Sequence, residues 1–169
     1  IYYLEDKAKA SGGYVHFVLG NHEIMNLSGD LRYLQQKYLD NANLLQQNYV
    51  SLYDKNSELG RWLRTKNVVE KIGNLLFTHG GISGYINRIN TTIPDVNTLA
   101  RPYYGDSSYK YTDTRSDIIF SDFGPFWYRG YYVKNDSAIS LQIDSTLSQF
   151  DVAHVVTGHT IVADTISVW

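Results

Sequence analysis

Residues 17–26 read FVLGNHEIMN, an apolar run that ends directly against polar residues. The β-branched and aromatic residues before Gly20 are typical of a buried strand. A turn after that strand would account for Gly20 and Asn21. It gives no reason for His22 and Glu23 to follow, so we interpret this strand end as a candidate functional site.

Two further segments repeat the arrangement. Residues 75–81 (LLFTHGG) and 154–160 (HVVTGHT) each carry an apolar strand into polar residues that include a histidine. In open α/β sheets the carboxyl ends of strands face one crevice, and ligands bind there. We therefore expect His22, His79 and His159 to lie close together.

An asparagine oxygen and imidazole nitrogens together suit a divalent metal such as Mn, Fe or Zn. Each short motif is weak evidence by itself, but GNHE followed in order by the other two strand ends is a specific combination. The alternative for Asn21 and His22 is a capping turn. For His79 and His159 it is a strand-end histidine bonded to backbone.

The order of elements predicts the α/β class. Periodicity and turn residues indicate a helix up to Gly12, a strand over 14–20 and helical structure over 30–66 with a helix start at Ser57. A hairpin around Gly73 and interrupted helices over 83–100 follow. The rest of the chain is predicted as an irregular loop over 101–115, a helix over 137–150 and a buried strand over 152–158. Strands separated by helices favour a layered sheet, and no linker divides the chain. We expect a single domain over residues 1–169.

Composition excludes several classes of protein. The chain has 169 residues, a net charge of −2 and scattered Lys and Arg, which argues against a nucleic-acid partner. It has no cysteine, which excludes disulfides and thiolate metal sites within it. No apolar run reaches the roughly 20 residues of a membrane span. The compartment, cytoplasmic or periplasmic, stays open.

The three motifs GNHE (20–23), HGG (79–81) and GHT (158–160) resemble those of the calcineurin-like metallophosphoesterase superfamily. Within it, GNHEIMNLSGDLRY (20–33) and GPFWYRG (124–130) most resemble the bacterial Shewanella-like protein phosphatases. The resemblance implies an α/β fold in which a layered β-sandwich is flanked by helices. It also implies two divalent metal ions (Mn, Fe or Zn) in the crevice and a phosphorylated protein or small molecule as substrate.

The resemblance also implies roles for individual residues. Asn21, His79 and His159 would be ligands of the second metal. His22 would be the general acid that protonates the leaving oxygen of a phosphate monoester. The attacking group would be a hydroxide that bridges the two metals.

Three further residues have implied roles around that site. Arg129 would bind the substrate phosphate, a task that suits the planar fork of a guanidinium, or it would only cover the aromatic residues around it. Arg32 is either a second phosphate ligand or a solvated residue. Glu23 would hold a metal ligand in place and would not bind the metal itself.

The family's Asp-x-His and Gly-Asp-x-x-Asp-Arg-Gly motifs, which supply the first metal's ligands, do not occur in this sequence. We expect the chain to be a fragment, incomplete at both ends, with ligands for one metal of the two. A two-metal hydrolysis would then not run on residues 1–169 alone. The activity is expected of the parent protein.

Two other functions are compatible with these residues. One is a diesterase or nucleotide pyrophosphatase on the same fold, since fold and metals do not choose the substrate. The other is a non-catalytic binding protein that lacks the first-metal ligands. His16 and His154 lie within predicted strands, and we interpret both as structural.

Overall fold

A computed structural model of the chain describes residues 1–108, 110–132, 137–163 and 166. These residues form a mixed α/β structure, as predicted. The helices are α1 (Tyr2–Ala10), α2 (Asn21–Ser28), α3 (Gln36–Leu44), α4 (Glu58–Arg64), α5 (Gly84–Arg88), α6 (Ile93–Ala100), α7 (Thr114–Phe120) and α8 (Ser137–Phe150). Short 3-10 turns cover Val50–Tyr53, Arg101–Tyr103 and Gly130–Tyr132.

Side-chain caps explain where several helices begin. The Ser57 hydroxyl accepts a hydrogen bond from the Gly60 N–H at 2.9 Å, which confirms the predicted helix start at residue 57. Thr92 and Asp95 form a reciprocal capping box at the start of α6. In the part of the chain that is described, no helix is both long and apolar enough to cross a membrane.

The described strands form one sheet in the order β1 (Val69–Ile72), β2 (Leu75–Thr78) and β3 (His154–Val156). β1 and β2 are the predicted hairpin, in which Gly73 adopts the positive φ of 59° that the tight turn requires. β3 pairs with β2 in parallel. β2 is therefore the central strand, with neighbours on both sides.

The prediction of a strand over residues 14–20 is wrong. The structure contains only an isolated parallel bridge between Val18 and Asn67, and the Leu19 N–H donates to the Asn67 carbonyl at 2.9 Å. A strand needs continuous pairing to a neighbour. Within the described residues no strand pairs with the exposed half of the segment around His16, although Leu19 itself is fully buried.

Three further predictions need correction. The helical stretch predicted over 30–66 is divided into α3, a 3-10 turn and α4. The loop predicted over 101–115 begins with a 3-10 turn, and α7 starts at its end; Tyr109 lies outside the described residues. The strand predicted as buried is the exposed edge strand β3, because only β2 pairs with it in the described structure.

The hydrophobic core includes residues of the sheet, of α2 and of α4 to α8. Leu19, Leu76 and Phe126 are fully buried in it. The buried Asn97 carboxamide accepts hydrogen bonds from the backbone N–H groups of Val68 and Val69, so α6 is fixed to β1 by polar contacts as well as by packing. The core therefore holds the central strand β2, and with it the residue that follows this strand.

Candidate metal centre

His79 follows the buried end of β2. The next residue, Gly80, donates its N–H to the Pro125 carbonyl at 2.6 Å. A Cβ at Gly80 would lie 2.8 Å from the Tyr128 backbone nitrogen, so a side chain has no room there. The backbone on both sides of His79 is thus held by the core strand and by the 125–128 segment.

Asn21 and His22 are the first two residues of α2. The Glu23 carboxylate accepts a hydrogen bond from the Gly20 N–H at 2.9 Å and so caps the helix start. A Cβ at Gly20 would lie 2.8 Å from the His79 ring, so the helix start packs directly against that imidazole. Glu23 therefore positions the turn that carries Asn21.

His159 reaches the site from the edge strand. Its backbone φ is 60°, a left-handed conformation that is uncommon for residues other than glycine. The Gly158 N–H donates to the His79 carbonyl at 2.9 Å. Arg129 Nη1 donates to the His159 carbonyl at 2.9 Å and to Thr160 Oγ1 at 3.1 Å, which fixes the segment from the other side.

Three side-chain atoms from these segments form a triangle. His79 Nε2 lies 2.7 Å from Asn21 Oδ1 and 3.1 Å from His159 Nδ1. His159 Nδ1 lies 3.1 Å from Asn21 Oδ1. The structure thus brings together the three residues that the sequence predicts as metal ligands, and their role as ligands stays a prediction.

The triangle has the dimensions of a metal site. An ion about 2.1 Å from each atom would see them at angles of about 80° to 95°, close to the right angles of an octahedral face. The Asn21 oxygen accepts hydrogen bonds only, and a single cation would satisfy it together with both ring nitrogens. Within the described ranges no three His, Cys, Asp or Glu side chains gather as a metal-binding group. The triangle instead consists of two imidazoles and one amide.

Both imidazoles are held in the neutral form that binds metals. Burial lowers the pKa of His79, and the charges of His22 and Arg129 lower it further. Burial is also the main cause that lowers the pKa of His159, to about 4, and the charge of Arg129 is the next largest cause. His22 and Arg129 therefore lie within electrostatic range of the triangle.

His22 is not part of the triangle. Neighbouring residues of an α-helix point about 100° apart, so Asn21 and His22 at the start of α2 face different directions. The His22 side chain is exposed, and its ring meets the edge of Tyr33 at 5.9 Å between centroids. Its role as a general acid stays a prediction.

The remaining predicted residues are not members of the triangle, although His16 lines a cavity together with His79. Arg32 is exposed and holds Asp30 through its Nε and Nη2 atoms at 2.7–3.0 Å. His16 is hydrogen bonded to Glu70, and His154 lies in β3. One neighbour was not predicted: the Trp127 ring packs edge-on against His159 at 5.9 Å. It lies within the GPFWYRG segment, two residues before Arg129.

The sequence model of the calcineurin-like phosphoesterase family matches residues 1–163, so the chain belongs to this family. Proteins of this family generally use divalent metals. The membership confirms the resemblance read from the three strand-end motifs, and with it the metallophosphoesterase fold.

One of two similar proteins is a protein phosphatase, and the other is uncharacterized. The chain is 28% identical to Shewanella-like protein phosphatase 1 of Plasmodium berghei (strain Anka) over 95% of its own length and 45% of the relative's. It is 27% identical to the uncharacterized protein R398 of Acanthamoeba polyphaga mimivirus, over 93% of the chain and 73% of R398.

Two solved phosphatase structures are similar to this chain in fold and in sequence. The cold-active protein-tyrosine phosphatase of a psychrophilic Shewanella species superimposes with a TM-score of 0.85 at 40% identity, over 94% of this chain and 48% of that one. A 1.1 Å structure of a cold-active protein tyrosine phosphatase gives a TM-score of 0.88 at 37% identity, over 99% and 49%. The chain thus spans about half the length of the Plasmodium relative and of these two structures.

Proposed function

We propose that the protein is a metal-dependent phosphoesterase that hydrolyses phosphate monoesters, with phosphorylated protein side chains as its substrates. The observation that carries the proposal is the triangle of Asn21 Oδ1, His79 Nε2 and His159 Nδ1, with edges of 2.7–3.1 Å. Its relatives support the substrate class, since one is a Shewanella-like protein phosphatase and another a protein-tyrosine phosphatase.

Asn21, His79 and His159 would hold one divalent ion, Mn, Fe or Zn. When bound, divalent ions in such sites lower the pKa of water and neutralise phosphate oxygens. These three residues account for one ion, and the second ion of a dinuclear centre would need other ligands. We therefore expect residues 1–169 alone to bind one equivalent of metal and to hydrolyse no phosphate ester.

His22 would donate the proton to the leaving oxygen. It lies beside the triangle, it is exposed to a substrate, and the positive end of α2 favours an anion at this position. A positioned imidazole contributes about 10²- to 10⁴-fold to such a step. Since Asn21 precedes it in the same helical turn, a single element would position both the metal and the proton donor.

Arg129 would bind the phosphate oxygens. Its described hydrogen bonds use only Nη1, towards His159 and Thr160, and the fork of a guanidinium has further N–H donors for an anion. Arg32 would join it on the phosphate only after releasing Asp30. We therefore assign the larger share of phosphate binding to Arg129.

The test compares wild-type full-length protein with Asn21→Ala and His22→Ala, and uses His16→Ala as a control because that histidine lies outside the triangle. Metal content is measured by mass spectrometry, and hydrolysis with p-nitrophenyl phosphate and bis-p-nitrophenyl phosphate. We expect Asn21→Ala to lose metal. We expect His22→Ala to keep its metal and lose about 10²- to 10⁴-fold in kcat.

Three results would contradict the proposal. Faster hydrolysis of the diester than of the monoester would make the protein a diesterase. A wild type that binds no metal and cleaves neither ester would make it a binding protein on this fold. Equal losses in His16→Ala and His22→Ala would remove the assignment of the general acid.

A further inference from the structure

The two ring nitrogens of His159 have different surroundings. Nδ1 belongs to the triangle and lies 3.1 Å from both Asn21 Oδ1 and His79 Nε2. Nε2 is buried, and among the described residues it has no hydrogen-bond partner at normal distance and angle. Buried polar atoms without a partner are rare in folded proteins, because such an atom has lost its hydrogen bond to water. The Nε2 side of this ring therefore indicates an unfinished interaction.

Trp127 contacts the His159 ring with its side chain and with its backbone. The two rings meet edge to face, at 5.9 Å between centroids and an interplanar angle of 88°. Burial lowers the pKa of His159, and a hydrogen-bond interaction with the Trp127 backbone opposes this decrease. A backbone group that raises the pKa of an imidazole does so by accepting its hydrogen, so this group is the Trp127 carbonyl.

The segment that carries Trp127 is fixed by the core. The Gly124 carbonyl accepts hydrogen bonds from the N–H groups of Trp127 at 3.1 Å and Tyr128 at 3.0 Å. A Cβ at Gly124 would lie 1.9 Å from the Ile119 carbonyl oxygen, so this turn packs directly against α7. Phe126, next to Trp127, is fully buried. Trp127 is thus a fixed surface against which the His159 ring packs.

A metal ligand at Nδ1 needs an acceptor at Nε2. A neutral imidazole carries one ring hydrogen, so an ion bound to the lone pair of His159 Nδ1 requires that hydrogen to lie on Nε2. Histidines that bind metals almost always donate this hydrogen to a carboxylate, a backbone carbonyl or water, which fixes the orientation of the ring. Since Nε2 of His159 is buried, the acceptor must come from the protein.

We propose that Trp127 is a positioning residue for the metal site: its carbonyl accepts the Nε2 hydrogen of His159, and its indole holds the ring so that Nδ1 faces the ion. The proposal rests on the proposed function, because the triangle sets the direction in which Nδ1 must point. A small rotation of the His159 ring completes the hydrogen bond to the carbonyl. Both parts of Trp127 act on the ion only through His159.

One short segment would then position two parts of the site. Arg129 follows Trp127 by two residues, and its Nη1 donates to the His159 carbonyl at 2.9 Å. Arg129 thus holds the backbone of the ligand, and Trp127 holds its ring. Because Arg129 is also the proposed phosphate ligand, residues 124–130 would set the distance between the phosphate and the ion.

The first experiment observes the ring hydrogen in the wild type. NMR of the isotope-labelled, zinc-loaded full-length protein shows which nitrogen of each histidine carries a hydrogen and how fast that hydrogen exchanges with water. We expect a slowly exchanging hydrogen on Nε2 of His159. His154, which is exposed in β3, is the reference for fast exchange. If the two hydrogens exchange equally fast, no acceptor holds the Nε2 hydrogen, and the proposal is overturned.

The second experiment separates positioning from stability. Trp127→Ala should weaken zinc binding by about 10- to 100-fold, the usual cost of removing a group that orients a metal ligand. Trp127→Phe keeps an aromatic ring on the same turn and should retain most of the affinity. Calorimetry with a competing chelator gives the affinities, and urea unfolding of the metal-free proteins gives their stabilities. If Trp127→Ala does not fold, Trp127→Leu keeps much of the volume without a ring and should also weaken zinc binding.

Trp62→Ala is the matched control. Like Trp127, Trp62 is a partly buried tryptophan packed against the core, and its ring contacts Phe17 at 5.0 Å between centroids. It lies on α4 and has no ring contact with the histidines of the triangle in the described structure. This variant should lower the free energy of unfolding and leave the zinc affinity of the folded protein unchanged.

The outcomes separate the two proposals. If the wild type binds no zinc, the proposed metal site is wrong, and the inference falls with it. If the wild type binds zinc and Trp127→Ala binds it equally well, Trp127 does not position the ligand, and the proposed function stands. If Trp127→Ala and Trp62→Ala lose affinity to the same extent, the loss comes from a weakened fold, and the inference is again overturned.

Discussion

The two histidines of the triangle are held in very different ways. His79 follows β2, which is paired on both sides and contains the fully buried Leu76. His159 follows the edge strand β3, in which Val156 is 43% exposed, and has a left-handed backbone. The His79 side of the site, the core side, is thus an extension of the core. The His159 side, the edge side, is held against it by a few hydrogen bonds and, as proposed, by the metal.

This difference indicates how such a site can bind and release an ion. A ligand fixed by the core keeps its direction whether or not metal is present. A ligand on an edge segment moves at lower cost, because fewer buried contacts oppose its opening. The following experiments test whether the two sides differ in this way.

The largest effect is expected from removing each histidine. His79→Ala and His159→Ala should each weaken Zn or Mn binding by more than about 100-fold, since each removes a ligand. His79→Ala should also lower the free energy of unfolding of the metal-free protein by about 1–3 kcal/mol, and by more than His159→Ala does. It opens a cavity against Gly20, and it removes the shorter of the two hydrogen bonds to the buried Asn21, 2.7 Å against 3.1 Å for His159. Calorimetry and urea unfolding measure the two quantities, and equal destabilisation by both variants would contradict the comparison.

Gly20→Ala should come next. The added Cβ would meet the His79 ring at 2.8 Å and Glu23 Oε2 at 2.9 Å, so the ring or the helix start must shift. We expect a loss of about 1–3 kcal/mol in the free energy of unfolding and a clear loss of metal affinity. Gly13→Ala is the control, since its Cβ would come no closer than 3.5 Å to Ala8. Similar behaviour of the two variants would argue against close packing at Gly20.

Arg129→Ala should loosen only the edge side. Its Nη1 bonds to His159 and Thr160 are worth about 1 kcal/mol each, so their loss should speed hydrogen exchange of the Gly158 amide by about 30-fold. The Gly80 amide, bonded to the Pro125 carbonyl on the core side, should exchange as in wild type. Exchange measured by NMR or mass spectrometry on metal-free protein decides this. Faster exchange at Gly80 would show that the two sides open together.

The smallest expected effect concerns the backbone conformations at positions 159 and 79. At position 159, glycine should give a metal-free protein about 1 kcal/mol more stable than alanine does, because only glycine adopts φ 60° without a steric penalty. At position 79 the order should reverse, since His79 is not in the left-handed region and glycine costs more chain entropy. Urea unfolding of the four variants gives both differences. The same order at both positions would remove the backbone difference from the comparison.

Much of the site could be predicted because it depends on local signals. Gly73 marks the hairpin, and the hairpin places His79 at the end of β2. The residue types at positions 21, 79 and 159 indicate a metal, and the strand-end rule brings His79 and His159 together. Their order along the chain carries the resemblance to the phosphoesterase family that the comparisons confirm.

What could not be predicted depends on distant contacts. Residues 14–20 have the composition of a strand, but composition does not show that only Val18 finds a partner. The apolar residues of β3 indicate a buried strand, and its edge position depends on which strands flank it. The direction of His22 follows from the start of α2 at Asn21, and so depends on where Glu23 caps the helix.

The span of chain between the ligands has a consequence for folding. Asn21 and His159 are 138 residues apart in sequence, and one ion between them would close that loop as a disulfide does, a restriction worth about 5 kcal/mol of unfolded-chain entropy. The ion would thus be a reversible cross-link whose contribution to stability is set by the metal concentration. Chelation should then lengthen the time that the protein spends open to proteases, so that metal supply would control the amount of protein as well as the proposed catalysis.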